Sequence, residues 1–585
     1  MLLMLLSILT RLQRFSAALY LLPVLFLALF YFYPLGTILG ISLAPDGFLE
    51  LEPLRKLFRN SYYLRTLWFT IWQAAVSTLL VLFLAIPGAY VFARYRFRGK
   101  KTLRALSLLP FVLPTVVVAN AFLALLGPRG TINTLLMDLL NLTQPPLQLQ
   151  HTIWMILLAH IFFNYSVAMR IISNAWQNLS SDLGHAAQLL GASPRRVFWH
   201  ITLPALWPSV TAAAVLVFIF CFTSFGVILI LGGPRFATLE VEIYRQAVNL
   251  FNLPLAAALS MIQIAFTFSF MWLYTRTQTN RSQALDLVSS KSTERPIRSL
   301  KDRLIVYGNL LLMLLLLGLP LIALVSRSFA GQDGLTTRFY SELFINRQDS
   351  LFFVPPIEAI FNSTAFALVT VVLAVVLGLI SARLLTSNRK SVPNLESPVH
   401  SSSWLKQRTR RVGLRLLDPI FMLPLATSAV TLGFGYIVAL NKPPLNLRQS
   451  VLLVPIAHTL VAIPFVIRSL LPAIRRINPR LQETAALLGA GTQQVWFHVD
   501  WPLIRRALLV GAVFAFTISM GEFGATVFIA RPQTPTMPVA IFRFLGQPGA
   551  LNYGQALAMS TLLMLVCAIG FIAIERFRLG SEGEF

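Results

Sequence analysis

Twelve stretches of about 20 mostly apolar residues constrain this chain more than any other feature, because a helix of that length crosses the hydrocarbon core of a bilayer. They lie at about 17–41, 64–93, 105–126, 152–172, 206–231 and 254–275, then 304–326, 358–382, 416–440, 451–471, 507–530 and 553–575. Backbone placed in lipid must satisfy its own hydrogen bonds, so stretches of this kind are helices. The expected fold is therefore all-α and transmembrane. Composition agrees: only 12% of the 585 residues are charged, about half the usual share of a soluble domain. An ordinary cytoplasmic enzyme is excluded, and so is a disordered chain, which would be poor in Leu, Ile, Val and Phe. Cys221 and Cys567 both lie in apolar stretches, far apart in sequence, and suggest neither a disulfide framework nor a zinc site.

The net charge of +26 would point to nucleic acid in a soluble protein. Here its distribution reads as an orientation signal. With the N-terminus in the cytoplasm, 34 Lys and Arg fall in cytoplasmic segments and 14 in external ones, while the acids divide 11 and 11. Net charge is then about +23 inside and +3 outside, as the positive-inside rule requires. The expected location is the bacterial inner membrane, multi-pass, with both termini cytoplasmic. Membrane lipid, and no nucleic acid, is the expected surrounding. Met1 to Thr10 is apolar but too short to span, and residues 1–16 read as an interfacial segment. Residues 577–585 read as a cytoplasmic tail.

The two halves of the chain repeat at an offset of 298 residues. His160 and Arg170 match His458 and Arg468, Gly191 matches Gly489, and Pro204 matches Pro502. Phe225-Gly226 matches Phe523-Gly524, and Ile243 and Arg245 match Ile541 and Arg543. Six spans per half in one orientation make a parallel repeat, which relates the halves by an axis along the membrane normal. The expected organisation is a first six-span domain at 17–275, a polar linker at 276–303, and a second six-span domain at 304–576. Residues 387–412, rich in Ser and Arg, read as a flexible cytoplasmic insertion. Duplication of this kind argues for a transporter.

The longest repeated cytoplasmic feature joins the fourth and fifth spans of each half. It contains His185, Ala186, Ala187, Gly191 and Pro204 in the first half, and Glu483, Ala485, Ala486, Gly489 and Pro502 in the second. An alanine-rich helix stopped by Gly, a turn, and a second short helix ending before Pro are the expected elements. The alanines leave a shallow surface for another protein. Val197 with Ile201, and Val495 with Val499, give each second helix an apolar edge.

The spacing Glu483-x-Ala485-Ala486-x-x-Gly489, with Pro502 thirteen residues after the glycine, resembles the EAA loop of importer-type ABC permeases. The first copy departs from it by having His185 in place of Glu. The resemblance covers nearly the whole chain as two fused permease domains, a form typical of ferric-iron and thiamine permeases. It implies that each loop carries a coupling helix for one of two copies of a cytoplasmic ATPase subunit. It also implies an extracytoplasmic solute-binding protein that delivers the cargo. Ferric iron, the commoner class, is the leading expectation for that cargo. Leu158 to Asn164, Leu231-Gly-Gly-Pro234 and Thr238 to Tyr244 look like the thiamine permease, which is the alternative. Ser519 to Thr526 is similar to a stretch of iron, molybdate and sulfate permeases, so an oxyanion is also open.

No phosphate-cradling Gly-x-x-x-x-Gly-Lys-[Ser/Thr] is present: Gly99-Lys100 has Arg94 where the first glycine belongs. The chain itself is expected to bind no cofactor and perform no catalysis, with ATP and Mg held by the partner subunit. Polar residues inside a membrane are functional candidates. Glu522 with Gly524, their counterparts Ser224 and Gly226, and Asn164 are candidates for a translocation path or gate. The alternative for Glu522 is a carboxylate paired near the external interface, with Arg531 as its partner. His160 and His458 fit helix-packing hydrogen bonds better than a metal site. An ion-coupled secondary transporter is the rival of another class, and would be expected to carry more buried acids than Glu522 and Asp418.

Overall fold

The computed structural model describes residues 19–44, 48, 50, 52–179, 182–279, 294–331, 334–345, 354–386, 417–425, 427–441, 443 and 445–579. The expected interfacial segment, linker residues 280–293, the insertion at 387–412 and the end of the tail lie outside the described residues. Among the described residues, eleven helices are long and apolar enough to cross a membrane. The pair Leu417–Leu425 and Ala429–Ala439, bent by 96°, passes the same test only together and brings the number to twelve if it is counted as one span.

The first half is interrupted too, where sequence alone suggests one continuous span over 105–126. Short helices Lys100–Leu106 and Leu109–Val112 precede helix Thr115–Leu126. Pro114 at the break is extended, with ψ 140°, and Ser428 at the second break has ψ 138°. The causes differ. Proline disfavours helical geometry in the residue before it, and Leu113 is extended at ψ 142°. Ser428 instead caps the new helix, its hydroxyl accepting from Val430 N–H at 3.1 Å and Thr431 N–H at 3.4 Å.

The fifth and eleventh spans are broken too. Helix Leu203–Phe222 stops, and Gly226–Leu231 starts afresh after Thr223–Phe225. Helix Trp501–Gly521 stops before Thr526–Ile529. The repeated Phe-Gly pairs sit in these breaks. Hydropathy gives no sign of them, because the apolar run continues across each.

The described chain falls into two compact units. One holds residues 41–347 and 538–565; the other holds 1–40, 348–537 and 566–585. In the first unit the second span, Ser61–Arg94, packs on the fourth, Ile153–Gln177, and the contact requires Gly88: a Cβ there would lie 2.4 Å from the Tyr165 hydroxyl. In this unit the seventh span, Leu300–Ser328, packs on Thr115–Leu126, and Asn120 donates to Ser560 Oγ at 2.7 Å. In the other unit Pro356–Thr386 packs on Leu453–Arg476, with Gly378 admitting Val466. There Tyr31 hydrogen-bonds Thr427 at 2.6 Å, tying the first span to the bend of the ninth.

The end of the linker is folded. Arg295–Pro296 pairs as a parallel two-residue strand with Tyr95–Arg96. Lys100 meets Glu294 at 2.7 Å, and Tyr95 donates to Asp302 at 2.8 Å. The Arg295 guanidinium lies 4.5 Å over the Tyr95 ring. Burial, and then the bond to Asp302, push the Tyr95 phenol up to about 12, so it stays protonated as a donor. Ser299 and Asp302 form a capping box at the start of the seventh span.

Candidate coupling loops and intramembrane polar sites

Each loop between the fourth and fifth spans of a half is a helix, a left-handed glycine turn and a second helix. In the first half helix Asp182–Leu189 ends at Gly191, φ +88°; in the second, Pro479–Leu487 ends at Gly489, φ +87°. The turns are stitched alike. Ala192 N–H reaches Ala187 O at 2.9 Å and Ala490 N–H reaches Ala485 O at 3.0 Å, a bond typical of a glycine-terminated helix. A Cβ on either glycine would meet nothing within 4 Å. Backbone conformation, not space, selects glycine here.

The second helix does not end before the proline. Pro194–Val197 runs through a π-turn, Phe198–Thr202, directly into Leu203–Phe222, and Thr492–Val495 runs through Trp496–Asp500 into Trp501–Gly521. Pro204 and Pro502 therefore lie in the first turn of each fifth span. The wider turn carries the helix past a residue that has no N–H to give.

The alanines are half-buried or exposed, but the larger apolar surface is leucine. Leu189 and Leu190 are 89% and 90% exposed, and Leu487 and Leu488 are 87% and 84% exposed. Four exposed leucines flank the two glycine turns. In the second loop a shallow cavity of about 360 Å³ opens beside Leu488, between Ala485, Gly489 and Val495. Glu483 is exposed near it. His185 lies within the first helix.

Glu522 is placed differently from the sequence expectation. It ends the eleventh span in extended geometry and is buried. Its carboxylate accepts from Ala525 N–H at 2.7 Å and Thr526 N–H at 2.9 Å, and from the Thr526 hydroxyl. His458 Nε2 lies 3.4 Å away. Its partner is thus His458 and not Arg531. A buried carboxylate is costly unless hydrogen-bonded, and here three donors from Ala525 and Thr526 meet it, with His458 beside it. Gly524 packs beside it, where a Cβ would lie 3.0 Å from that of Ala429.

The first-half site is built from other groups. Ser224 is half-buried and Gly226 buried at the start of its short helix. His160 Nδ1 meets Ser77 Oγ at 2.9 Å. Asn164 donates to His160 O at 2.9 Å and to Cys221 Sγ at 3.6 Å. Glu240 and Glu242, both buried, take the carboxylate role elsewhere: Gln263 donates to Glu240 at 2.8 Å, and Tyr62 to Glu242 at 2.8 Å. Sequence gives no sign of their burial, because these two acids lie in an inter-span segment, where exposure is the ordinary expectation.

The sequence matches a known family along most of its length. The family of the binding-protein-dependent transport system inner membrane component matches at residues 85–281 and again at 402–578, so the family's domain occurs twice. The thiamine transport system permease protein ThiP of Escherichia coli (strain K12) is 28% identical over 552 residues, covering 92% of this chain and 95% of that one. ThiP of Haemophilus influenzae is 27% identical over 563 residues, covering 94% of each. A solved bacterial ABC transporter that imports alginate covers 48% of this chain at 18% identity and a TM-score of 0.39, too low to add to the assignment. With two copies of the domain in tandem, this chain belongs to the family of inner membrane components of binding-protein-dependent transport systems.

Proposed function

We propose that this chain is the membrane-spanning subunit of a thiamine importer, driven by a separate ATPase that docks on the 185–204 and 483–502 loops. As a member of its family the chain is a transport component and not an enzyme, and the ion-coupled secondary transporter falls with that membership. Thiamine displaces ferric iron as the leading cargo. The support is that relatives matching along more than nine-tenths of the chain are named thiamine permeases.

The observation that carries the docking is the set of four leucines at repeated glycine turns, each at least 84% exposed. Fully burying one such side chain is worth about 1.5–3 kcal/mol. A partner that covers two per loop gains about 3–6 kcal/mol at each loop. In this reading each half, 17–275 and 304–576, takes one ATPase copy, which holds the ATP and Mg. An extracytoplasmic binding protein delivers the solute on the opposite side, and both termini are cytoplasmic. Glu522 and Gly524, with Ser224, Gly226 and Asn164, form the gate region of the path. Glu522 acts there by fixing the shape of the break in the eleventh span.

The test is uptake of labelled thiamine and of labelled ferric iron by cells that rely on this importer, with and without the chain. Thiamine uptake that needs the chain and cellular ATP is expected. Chain-dependent iron uptake without thiamine uptake would overturn the cargo. Leu487→Asp with Leu488→Asp should release the ATPase on purification; its full retention would overturn the docking.

A further inference from the structure

The second span, Ser61–Arg94, ends and the seventh, Leu300–Ser328, begins at one short strand pair, Tyr95–Arg96 with Arg295–Pro296. Pairing joins two basic runs that lie 200 positions apart in the chain. Residues 94–104 hold six Lys and Arg, and residues 294–303 hold four more against only Glu294 and Asp302. The local net charge is +8.

Alternation along the strands sorts these residues by face. Tyr95 is buried, and Phe97 and Ile297 pack on the cluster of Val91, Tyr95 and Val306. Arg96, Arg98 and Arg298 are exposed. So are Lys101, in the helix that follows the first strand, and Lys301 and Arg303, in the first turn of the seventh span. Both acids are already engaged. Glu294 meets Lys100 at 2.7 Å. Asp302 accepts from Tyr95 at 2.8 Å and from Ser299 N–H at 3.2 Å, and lies 3.6 Å from Arg295. The six exposed cations have no side-chain partner among the described residues. Folding therefore concentrates like charge, which repels itself unless an anion joins it.

The seventh span indicates which anion. Leu300, Leu304, Tyr307 and Leu311 recur at helical spacing and are 73%, 69%, 59% and 56% exposed. This apolar stripe starts in the same turn as Lys301 and Arg303 and runs on into the span. A free phosphate would use the cations and leave the stripe idle. A phospholipid uses both, with its phosphate on the cations and an acyl chain along the leucines. Basic clusters beside a span are recognised by anionic headgroups in this way.

We propose that the strand pair and the start of the seventh span form a binding site for an anionic phospholipid. Its headgroup phosphate lies among Arg98, Arg298 and Lys301, and its chain follows Leu300 and Leu304. Bound there, the lipid neutralises the cations that the strand pair crowds together and fastens the folded end of the linker to the membrane. Lipid binding is independent of which cargo the importer carries.

The test is equilibrium binding of labelled phosphatidylglycerol to the purified full chain in a neutral detergent. Unlabelled phosphatidylglycerol, phosphatidylcholine and soluble glycerol 3-phosphate serve as competitors. Saturable binding is expected, with phosphatidylglycerol competing about tenfold better than phosphatidylcholine. Arg98→Gln with Arg298→Gln and Lys301→Gln should weaken it by about tenfold or more, because each cation at an anionic surface is worth about fivefold. Arg98→Lys with Arg298→Lys keeps the charge and should keep the binding. Removing equal charge from another exposed cluster, by Arg475→Gln with Arg476→Gln and Arg480→Gln, should change it less than about twofold. The proposal is overturned if phosphatidylcholine competes equally, if the first glutamine variant binds as the parent does, or if the lysine variant or the second glutamine variant loses as much as the first. Full displacement by glycerol 3-phosphate would make the patch a soluble-phosphate site. Displacement by the purified ATPase subunit would make it an ATPase surface. Either result also overturns the lipid site.

Discussion

The two coupling loops have the same turn and are anchored by different physics. In the second half Arg383, near the end of the eighth span, lies 3.7 Å over the Trp496 ring and 3.8 Å from Asp500. Asp500 in turn accepts from Gln482 of the loop's first helix at 2.6 Å. In the first half Phe198 stands at the place of Trp496 and stacks on Trp176 at 6.2 Å, and Trp176 meets Tyr90 at 5.3 Å. Thr202 replaces Asp500. One loop is held by a charge, the other by a ladder of rings. The membrane interior repeats the contrast. His458 has both ring nitrogens engaged, by Ser519 at 2.7 Å and Thr526 at 2.8 Å, whereas His160 Nε2 has no hydrogen-bond partner among the described residues. Duplication preserved the backbone geometry and left each half to stabilise it separately.

The contrast can be broken most forcefully at the two span breaks. Glu522→Ala leaves two backbone N–H groups and the Thr526 hydroxyl without their acceptor and removes the carboxylate beside His458. It should cost about 3–5 kcal/mol, as loss of one member of a buried pair does. Ser224→Ala should stay within about 0.5 kcal/mol. Unfolding in detergent measures both, and equal losses would mean the breaks are equivalent after all. Next, Trp176→Ala removes the central ring of the first loop's ladder and should cost about 3 kcal/mol. Uptake should fall at low and high salt alike. The glycines are the place where the halves should agree. Gly191→Ala and Gly489→Ala each force a Cβ into left-handed geometry and should cost about 1–2 kcal/mol. A large difference between them would show that the turns are not the shared element. The smallest effect belongs to Arg383→Ala, about 0.5–1 kcal/mol, because the cation over Trp496 and the pair with Asp500 are partly exposed. High salt, which shortens the Debye length to about 3 Å at 1 M, should weaken the parent's second loop in the same direction. Crosslinking of each loop to the ATPase across a salt series reads this out.

Much of this architecture is legible in the sequence, for reasons that can be named. Apolar length gives the spans because lipid leaves no alternative to helix. The 298-residue offset locates both coupling loops because a left-handed turn admits glycine at Gly191 and Gly489 and little else. What is not legible is direction. The runs through Pro114 and Phe225 stay apolar while the backbone turns, so hydropathy reads each as one rod. Nor is pairing legible: His458 and Glu522 stand out singly as intramembrane polar residues, yet 64 positions separate them in sequence. Arg531, closer along the chain, is the partner that sequence distance favours. Leu189, Leu190, Leu487 and Leu488 read as core from their type alone, and only their position on the folded loop identifies them as surface.

The final helix, Ala550–Leu579, contributes residues up to 565 to one compact unit and residues from 566 onward to the other. During synthesis, then, neither unit holds its complete set of partners until this helix has left the ribosome. Asn120 must wait for Ser560 across 440 positions of chain, and Thr517 for Gly570, where a Cβ would come within 2.8 Å of its hydroxyl. Loss of this one helix would therefore deprive both units at once.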